Sequence, residues 1–369
     1  MTELPVTELS VTELPVNQNQ PLRVLAVGDP YMPAGSFAAA LARLGDAVSV
    51  TELQITRTDG EPARTASERR LREYAGDPAQ VARAAAGHEV LVCHGAPVSA
   101  EVLDVPGLRL VCCARGGPVN VDVAAASERG IPVVSTPGKN AEAVAELTIA
   151  FALMLIRGLP RASRFIADGG RLAESTFEGG EFFGTEAPGT VLGLVGLGHV
   201  GQQAAVRAAA LGFTVLAHDP LPPARVPDAV TLVSFDELLA ESDIVSVHAR
   251  ATAANRHLFG AKAFALMKPG ASFINTARES LVDEADLADA LRRGQLAGAA
   301  LDVVEPPPAG TRHPLLDLPQ VFITPHLGGA TSQTLARGAQ RAATAVADLI
   351  AGRRPAAVVN PEVFDGGRP

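Results

Sequence analysis

One segment, residues 189–219, constrains the fold and the chemistry of this chain more than any other. An apolar run at Val191–Val195 leads into the glycine turn GLGHVG at 196–201, and an Ala-rich helical pattern follows. A second apolar run then ends at Asp219. This order of strand, glycine turn, helix and strand predicts a βαβ unit that binds a dinucleotide, whereas a lone glycine pattern would predict only a turn.

Each glycine of the turn has a predicted task. Gly196 allows the tight turn, Gly198 lets a pyrophosphate approach the backbone, and Gly201 lets the helix pack on the strand. The helix N-terminus offers unpaired N–H groups and partial positive charge to the phosphates. The predicted cofactor-binding residues of the turn are Gly196, Gly198, His199, Val200 and Gly201.

Asp219 indicates which dinucleotide is bound. Its carboxylate can accept hydrogen bonds from the adenosine ribose and would repel a 2′-phosphate. Pro220 and Leu221, which follow, offer no cation to hold such a phosphate. The sequence therefore predicts NAD(H) rather than NADP(H).

Composition narrows the class of protein. A length of 369 residues with 47% hydrophobic content predicts two domains with large cores, and a net charge of −9 argues against general nucleic-acid binding. The longest apolar run, Leu147–Ile156, is too short to span a membrane. The three cysteines, Cys93, Cys112 and Cys113, lie in apolar runs and are expected to be buried thiols of a cytoplasmic protein. The histidines show no metal-ligand spacing, so no metal is expected.

Strand-like and helical runs alternate along the chain, which predicts an α/β protein with two doubly wound parallel sheets. One is expected to be a Rossmann NAD-binding domain at 140–326, and the other a flavodoxin-like, discontinuous substrate domain at 21–139 and 327–358. The last helix, Gln333–Ala351, would return to the first domain, leaving the active site in the cleft between the two. Residues 168–189, rich in Gly and Glu, are predicted to form an irregular connection.

The two ends of the chain are predicted to lie outside these domains. The repeats TELPV, TELSV and TELPV within residues 1–20 are short, acidic and Pro-bearing, and predict a disordered tail. Residues 359–369 are assigned to a C-terminal tail.

Three segments of the second half end in residues that suit one reaction. An apolar strand ends at Arg278, a second ends in acids between Asp302 and Glu305, and a third ends at His326. Ligands of open α/β sheets bind at such strand ends. A guanidinium clamps a carboxylate, and an imidazole exchanges a proton with a neighbouring oxygen while hydride moves. Taken alone, Arg278 is more simply a surface arginine and His326 a core histidine. Taken together at one edge of a sheet, they predict an active site.

These segments resemble the D-isomer-specific 2-hydroxyacid dehydrogenase family, which includes phosphoglycerate and glycerate dehydrogenases. The resemblance covers about 85–350 and rests on ASERGIPVVSTPGKN at 126–140, GLVGLGHVG, INTARESLVDE, GAALDVVEP and TPHLGGAT. It implies a two-domain protein that dimerises through the cofactor domain and the helix near 140–157.

The resemblance also implies residue roles. Arg278 would hold the substrate carboxylate, His326 would transfer the proton, and the loop Arg115-Gly116-Gly117 would meet the substrate. The residues expected to line the rest of the cofactor site are Ala249, Thr276, Ala277, Asp302 and Gly328.

One departure from the family pattern concerns catalysis directly. The family glutamate that pairs with the histidine falls at Pro307, whose side chain cannot accept a hydrogen bond. Glu305, two residues earlier, could replace it only if the loop folds differently. Without a carboxylate partner, His326 lacks the charge that would favour its protonated form and fix its tautomer.

Three further basic residues, Arg115, Lys139 and Arg250, fall near predicted loop ends. They could hold an extra anionic group such as a phosphate or a second carboxylate, or they could be ordinary solvated loop charges. The sequence leaves both open.

The sequence thus predicts an NAD-dependent oxidoreductase that interconverts a 2-oxo acid and a D-2-hydroxy acid. The partners expected are a small-molecule substrate and a second copy of the chain, with neither nucleic acid nor a membrane. The alternative is a catalytically weakened NAD(H)-binding regulator of the same fold, which Pro307 keeps open.

Overall fold

The computed structural model describes residues 20–56, 63–170, 182–307 and 309–365. They form two compact units. Unit 1 comprises the described residues up to Lys139 and from Thr331 onward, and unit 2 comprises those from Asn140 to Ala330. The second junction lies a few residues beyond the predicted one, just before a helix whose N-cap, Thr331, accepts the Thr334 N–H at 3.1 Å.

Unit 1 is built on a five-stranded parallel sheet in the order β2-β1-β3-β4-β5, the flavodoxin-like order. Its strands are β1 (Leu22–Gly28), β2 (Val48–Gln54), β3 (Val90–Cys93), β4 (Leu110–Cys113) and β5 (Val133–Val134). The helices of this unit are α1 (Ala34–Leu41), α2 (Pro78–Ala85), α3 (Ala100–Leu103), α4 (Val123–Glu128) and α11 (Ser332–Ile350).

Both faces of this sheet are covered, as continuous apolar strands require. Alternate residues of β1, β3 and β4 pack against α1 and against the Ala-rich face of α11, which includes Ala339, Ala342 and Val346. The predicted return of the last helix to the first domain is therefore confirmed. All three cysteines are buried free thiols, as expected, with Cys93 and Cys113 together on the opposite face.

Unit 2 contains a seven-stranded parallel sheet in the order β12-β11-β10-β9-β6-β7-β8. The strands are β6 (Val191–Val195), β7 (Thr214–His218), β8 (Val230–Leu232), β9 (Ile244–Val247), β10 (Ala271–Asn275), β11 (Leu296–Leu301) and β12 (Val321–Ile323). The helices are α5 (Ala141–Ile156), α6 (Leu159–Ala167), α7 (His199–Ala210), α8 (Phe235–Glu241), α9 (Ala261–Leu266) and α10 (Glu284–Arg292). The strand order reverses beside β6, where α/β sheets bind nucleotides.

Helix α5 lies mostly inside unit 2. Ala145, Ile149, Phe151 and Ala152 pack against α7 and the sheet. No single described helix is long and apolar enough to cross a membrane; α5 and α6 reach that length and apolarity only as a pair bent by 69°.

Two features of the chain differ from the sequence predictions. Strand β8 is short and half-exposed, so no apolar run marks it. Within 359–365, the predicted tail instead joins unit 1, where the buried Asn360 side chain bonds the Val133 N–H and the Ile131 carbonyl. The predicted irregular connection at 168–189 includes residues 171–181, which lie outside the described residues, as does the N-terminal repeat up to residue 19.

Candidate functional site

The carboxyl ends of the unit 2 strands bring the predicted chemical residues to one edge of one sheet. Arg278, Asp302 and His326 follow β10, β11 and β12, which are consecutive neighbours in the sheet. The glycine turn at 196–201 follows β6, two strands from β10. Parallel strands end at the same edge, so these groups share it.

The glycine turn has the geometry that its sequence predicts. Gly196 has φ +102°, and a Cβ there would lie 2.6 Å from the Ala249 amide nitrogen. A Cβ on Gly201 would overlap the carbonyl oxygen of Gly196. Only glycine fits either position, because one needs a left-handed backbone and the other a close helix–strand approach.

The turn also fits the pyrophosphate of a dinucleotide. Helix α7 begins at His199 with no side-chain cap on its N-terminus, which leaves amide donors for an anion. No described atom lies within 4 Å of a Cβ placed on Gly198, so the backbone is open there. His199 is exposed beside this opening and Val200 is partly buried.

Asp219 lies against the glycine turn. Its carboxylate accepts the Leu197 N–H at 2.7 Å and the Leu221 N–H at 2.9 Å. It therefore holds the turn in addition to its predicted contact with the ribose, a role that spacing alone did not indicate.

His248 supports the other side of the turn. Its backbone N–H donates to the Val195 carbonyl at 2.7 Å, and its ring Nε2 lies 3.0 Å from the Ser246 hydroxyl. Burial lowers the pKa of His248 to about 4, so the ring is neutral near pH 7. The backbone of His248 and Ala249 lies directly against Gly196.

A buried asparagine positions Arg278. Asn275 Nδ2 donates to the Arg278 carbonyl at 2.9 Å, and its Oδ1 accepts the Ala277 N–H at 3.0 Å. Thr276, one residue on, has its hydroxyl 3.2 Å from that of Thr148 on α5. Sequence analysis did not single out Asn275, although a polar residue closing an apolar strand was a signal.

A buried aspartate positions His326. In the His326 loop (Thr324–Gly328), the Asp302 carboxylate accepts the Thr324 hydroxyl at 2.7 Å and the N–H groups of Leu327 and Gly328 at 2.8 Å each. The Asp302 carbonyl accepts the His326 N–H at 2.9 Å. His326 has φ +56°, a left-handed conformation that is strained for a non-glycine residue. These four hydrogen bonds hold it there.

The loop between β11 and β12 places Glu305 beside Arg256 rather than beside His326. Glu305 is 50% exposed in its side chain and lies 3.7 Å from Arg256. Its N–H donates to Glu284, whose other carboxylate oxygen lies 2.9 Å from Nε2 of the buried His313. The loop therefore does not place Glu305 in the position of the missing glutamate. Among the described residues, no carboxylate forms an ion pair with His326.

The loop at 115–117 lies in unit 1, after β4. The Arg115 guanidinium bonds both the Glu73 carbonyl and the Glu73 carboxylate, so it is not a free cation. The Arg115 carbonyl accepts the Thr136 N–H at 2.7 Å. Among the described residues, the N–H groups of Gly116 and Gly117 have no backbone acceptor, which leaves them available to a ligand.

Comparison with known proteins agrees with this geometry. Residues 149–328 match the D-isomer specific 2-hydroxyacid dehydrogenase, NAD binding domain. A D-3-phosphoglycerate dehydrogenase from Mycobacterium bovis is 41% identical over 266 residues, which are 71% of this chain and 49% of that protein. The chain thus spans about half the length of that relative.

Two other proteins match over most of their length. A hydroxypyruvate reductase from Thermotoga maritima is 37% identical over 253 residues, 68% of this chain and 80% of that protein. A crystal structure of a Thermus thermophilus protein aligns with a TM-score of 0.73 and 33% identity, covering 92% of this chain and 100% of that one. The glycine turn, the strand order and these matches show that the chain belongs to the D-isomer specific 2-hydroxyacid dehydrogenase family.

Proposed function

We propose that this protein is an NAD-dependent oxidoreductase that interconverts a 2-oxo acid and a D-2-hydroxy acid. The observation that carries the proposal is the placement of Arg278 and His326 at the carboxyl edge of the sheet that bears the glycine turn. Both are fixed by buried polar residues, Asn275 and Asp302, which is the preorganisation that a chemical site requires.

In this proposal Arg278 binds the substrate carboxylate. Its planar guanidinium matches two carboxylate oxygens, and this fixes the direction of the neighbouring carbonyl. The hydrogen bond from Asn275 to the Arg278 carbonyl fixes the backbone from which the Arg278 side chain extends. The loop Arg115-Gly116-Gly117 stays a predicted substrate contact.

His326 is the acid and base. During reduction its protonated ring donates a proton to the carbonyl oxygen, and during oxidation the neutral ring removes the hydroxyl proton. Bound NADH would supply the hydride that reaches the carbonyl carbon. The turn at 196–201 and Asp219 would hold the pyrophosphate and the ribose of that cofactor.

The test is NADH oxidation by the full chain with a panel of 2-oxo acids. We expect turnover with at least one acid, and its loss in Arg278→Ala and in His326→Gln. Arg353→Gln, which removes an exposed arginine paired with Asp348, is the matched control and should keep parental rates. Parental turnover in either site variant would contradict the assignment.

A second function, an NAD(H)-binding regulator with weak catalysis, is favoured by the His326 environment. No described carboxylate forms an ion pair with His326, and Glu305 lies with Arg256 instead. NADH binding without turnover of any 2-oxo acid, in both the parent and Pro307→Glu, would favour this function. A cytoplasmic location stays a prediction for either function.

A further inference from the structure

Three neighbouring strands of unit 1 end in polar groups at one edge of the sheet. Asp29 follows β1, His94 follows β3, and the loop at 115–117 follows β4, and these strands are consecutive in the sheet. Ligands of open α/β sheets bind at the carboxyl ends of parallel strands. The edge that carries the predicted substrate loop therefore also carries a histidine to which the proposed function gives no task.

Asp29 is a buried carboxylate that fixes one nitrogen of the His94 ring. Its Oδ1 accepts the N–H groups of Tyr31 and Met32 at 2.8 Å each. Its Oδ2 accepts the Gly95 N–H at 2.6 Å and lies 2.9 Å from His94 Nδ1. A Cβ on Gly95 would lie 2.8 Å from that oxygen, so a side chain at this position would push the carboxylate away.

The surrounding charges decide which protons the pair carries. Burial alone would raise the pKa of Asp29, but the hydrogen bonds that it accepts lower it, so Asp29 is an anion. Burial lowers the pKa of His94, and the hydrogen bond to Asp29 only partly opposes this. The cations Lys139 and Arg115 lower it further. Near pH 7 the ring is therefore neutral, and its one proton lies on Nδ1, facing the carboxylate.

The other ring nitrogen of His94, Nε2, is a hydrogen-bond acceptor in an accessible position. A neutral imidazole with its proton on Nδ1 has only a lone pair at Nε2. Among the described residues, no donor reaches this atom, and it is not enclosed, since the side chain is 16% exposed. Tyr31 stacks on the ring with the centroids 4.9 Å apart, which holds the plane of the ring. The lone pair thus has a fixed direction and can be reached from solvent.

The surface beside His94 has room for a ligand. Gly116 is exposed, and no described atom lies within 4 Å of a Cβ placed on Gly117. Asn120 ties the two loops together, because its Nδ2 donates to the carbonyl groups of His94 at 3.1 Å and of Ala96 at 2.7 Å. The amide donors of the two glycines and the acceptor of the histidine therefore belong to one surface.

The neighbouring charges select the kind of donor that this acceptor can take. Lys139 and Arg115 act on His94 as positive charges, against the single anion Asp29. An ammonium donor would meet the same repulsion, whereas a hydroxyl donor, which is uncharged, would not.

From these contacts we propose that His94 Nε2 accepts a hydrogen bond from a hydroxyl group on the side chain of the substrate. The preferred substrates are then 2-oxo acids, and the matching 2-hydroxy acids, that carry a side-chain hydroxyl. The inference rests on the proposed function, which places the substrate at the loop 115–117. A methyl group in place of the hydroxyl leaves the lone pair without a partner, and this loss is what separates the two kinds of substrate.

The experiment is calorimetric titration of 2-hydroxy acids into the NADH-saturated full chain, where no hydride can pass because both partners are reduced. The ligands are matched pairs that differ by one hydroxyl: D-lactate with D-glycerate, and D-2-hydroxybutyrate with D-2,4-dihydroxybutyrate. In at least one pair, the hydroxylated acid should bind about 3- to 10-fold more tightly, the size of one neutral hydrogen bond. Equal affinity within both pairs would overturn the inference and leave the proposed function standing. The proposed function fails separately, when no 2-oxo acid is turned over and none of the four acids binds.

His94→Phe removes the acceptor and keeps a ring on which Tyr31 can stack. In this variant the hydroxylated acid should lose its advantage, while D-lactate and NADH bind as they do in the parent. The matched control is His88→Phe, which changes a histidine two residues before β3, at the opposite edge of the sheet, and should keep the full preference. Full preference in His94→Phe would overturn the assignment.

The pH dependence gives a second readout. Burial holds the pKa of His94 below its usual value of about 6.5, so the preference should be complete at pH 7. It should fade as pH falls through that pKa, because the protonated ring has no lone pair. The charged groups around the ring, Asp29, Lys139 and Arg115, stay charged from about pH 5 to pH 7. Any effect of pH on His326 acts on both acids of a pair alike and cancels in their ratio.

His94→Gln assigns this fade to the histidine. Its amide oxygen can accept the hydroxyl and does not titrate, so part of the preference should remain and should be independent of pH. This comparison holds even if His94→Phe folds poorly. A matching fade in His94→Gln would overturn the assignment to His94.

3-Phospho-D-glycerate tests the direction of the hydrogen bond. Its phosphate dianion offers only acceptors to the Nε2 lone pair, so His94→Phe should not weaken its binding at pH 7. Tighter binding of this acid than of D-glycerate, lost in His94→Phe, would show that His94 donates as a cation, and the inference would fall.

Discussion

At the scale of the residue, two buried polar side chains do more for the candidate site than their positions in the sequence suggest. Asn275 bonds the backbone at Ala277 and Arg278, and Asp302 bonds Thr324, Leu327 and Gly328. Asp302 has both carboxylate oxygens occupied by the His326 loop. Its part is therefore to position His326, which accounts for a left-handed histidine at this strand end.

We predict that cofactor preference depends on Asp219. Asp219→Ala should narrow the preference for NADH over NADPH by about 10- to 100-fold, because the acceptor for the ribose hydroxyls and the charge that repels a 2′-phosphate are both lost. Titration of both cofactors measures this, with the exposed Asp228→Ala as the control. A parent that binds the two cofactors equally would contradict it.

We predict that substrate binding depends on Arg278. Arg278→Ala should lower kcat/KM about 100-fold or more, a loss of several kcal/mol of transition-state stabilisation, while NADH affinity stays near the parental value. Arg278→Lys keeps the charge and loses the two-point contact, so it should recover only part of the activity. Steady-state kinetics with parallel NADH titrations separate these effects; an unchanged kcat/KM in Arg278→Ala would refute the role.

At the scale of the element, the loop after β11 determines which carboxylates lie near the strand ends that bear His326. Glu284 fixes both ends of the described loop, through the Glu305 N–H and through His313. The Glu305 carboxylate therefore faces Arg256 and solvent. Position 307, where the family glutamate would fall, is a proline.

Replacing that proline tests the loop directly. Pro307→Glu should extend 2-oxo acid reduction to higher pH by about one unit, because a nearby carboxylate favours the protonated imidazole. The pH profile of reduction measures this.

Glu305→Gln is the companion variant. It removes only an exposed pair with Arg256, worth about 1 kcal/mol or less, and should leave the profile unchanged. Loss of reduction in Glu305→Gln would show that Glu305 had taken the catalytic role after all.

At the scale of the whole molecule, dimerisation through the helix near 140–157 stays a prediction. Helix α5 buries Ala145, Ile149 and Phe151 within unit 2 and leaves Leu153 36% exposed. Four exposed apolar side chains lie close together in sequence on and after α6, at Leu159, Phe165, Ile166 and Phe183, the last 92% exposed.

We propose that this α6 surface forms a homodimer. Sedimentation at micromolar concentration should show a dimer, and Phe165→Asp with Ile166→Asp should shift it to monomer because two charges would be buried at the contact. Leu266→Asp, an exposed leucine on α9, is the control and should remain dimeric. A monomeric parent would rule the dimer out.

Local patterns determined much of the fold. The apolar run at Val191–Val195 coincides with β6, because a strand buried on both faces must be apolar throughout. The glycine turn was readable because its conformation excludes every other residue at Gly196. The resemblance to the family and the order of strand ends placed Arg278, Asp302 and His326 at one edge of one sheet.

Side-chain partners were decided by the tertiary structure. The pairing of Glu305 with Arg256 and the packing of α5 against α7 both join residues distant in sequence. Periodicity reports which face of an element is buried, and spacing reports which residues share a turn. Neither reports the path of a loop, and the path determines whether a charge meets an acid, a ring or nothing.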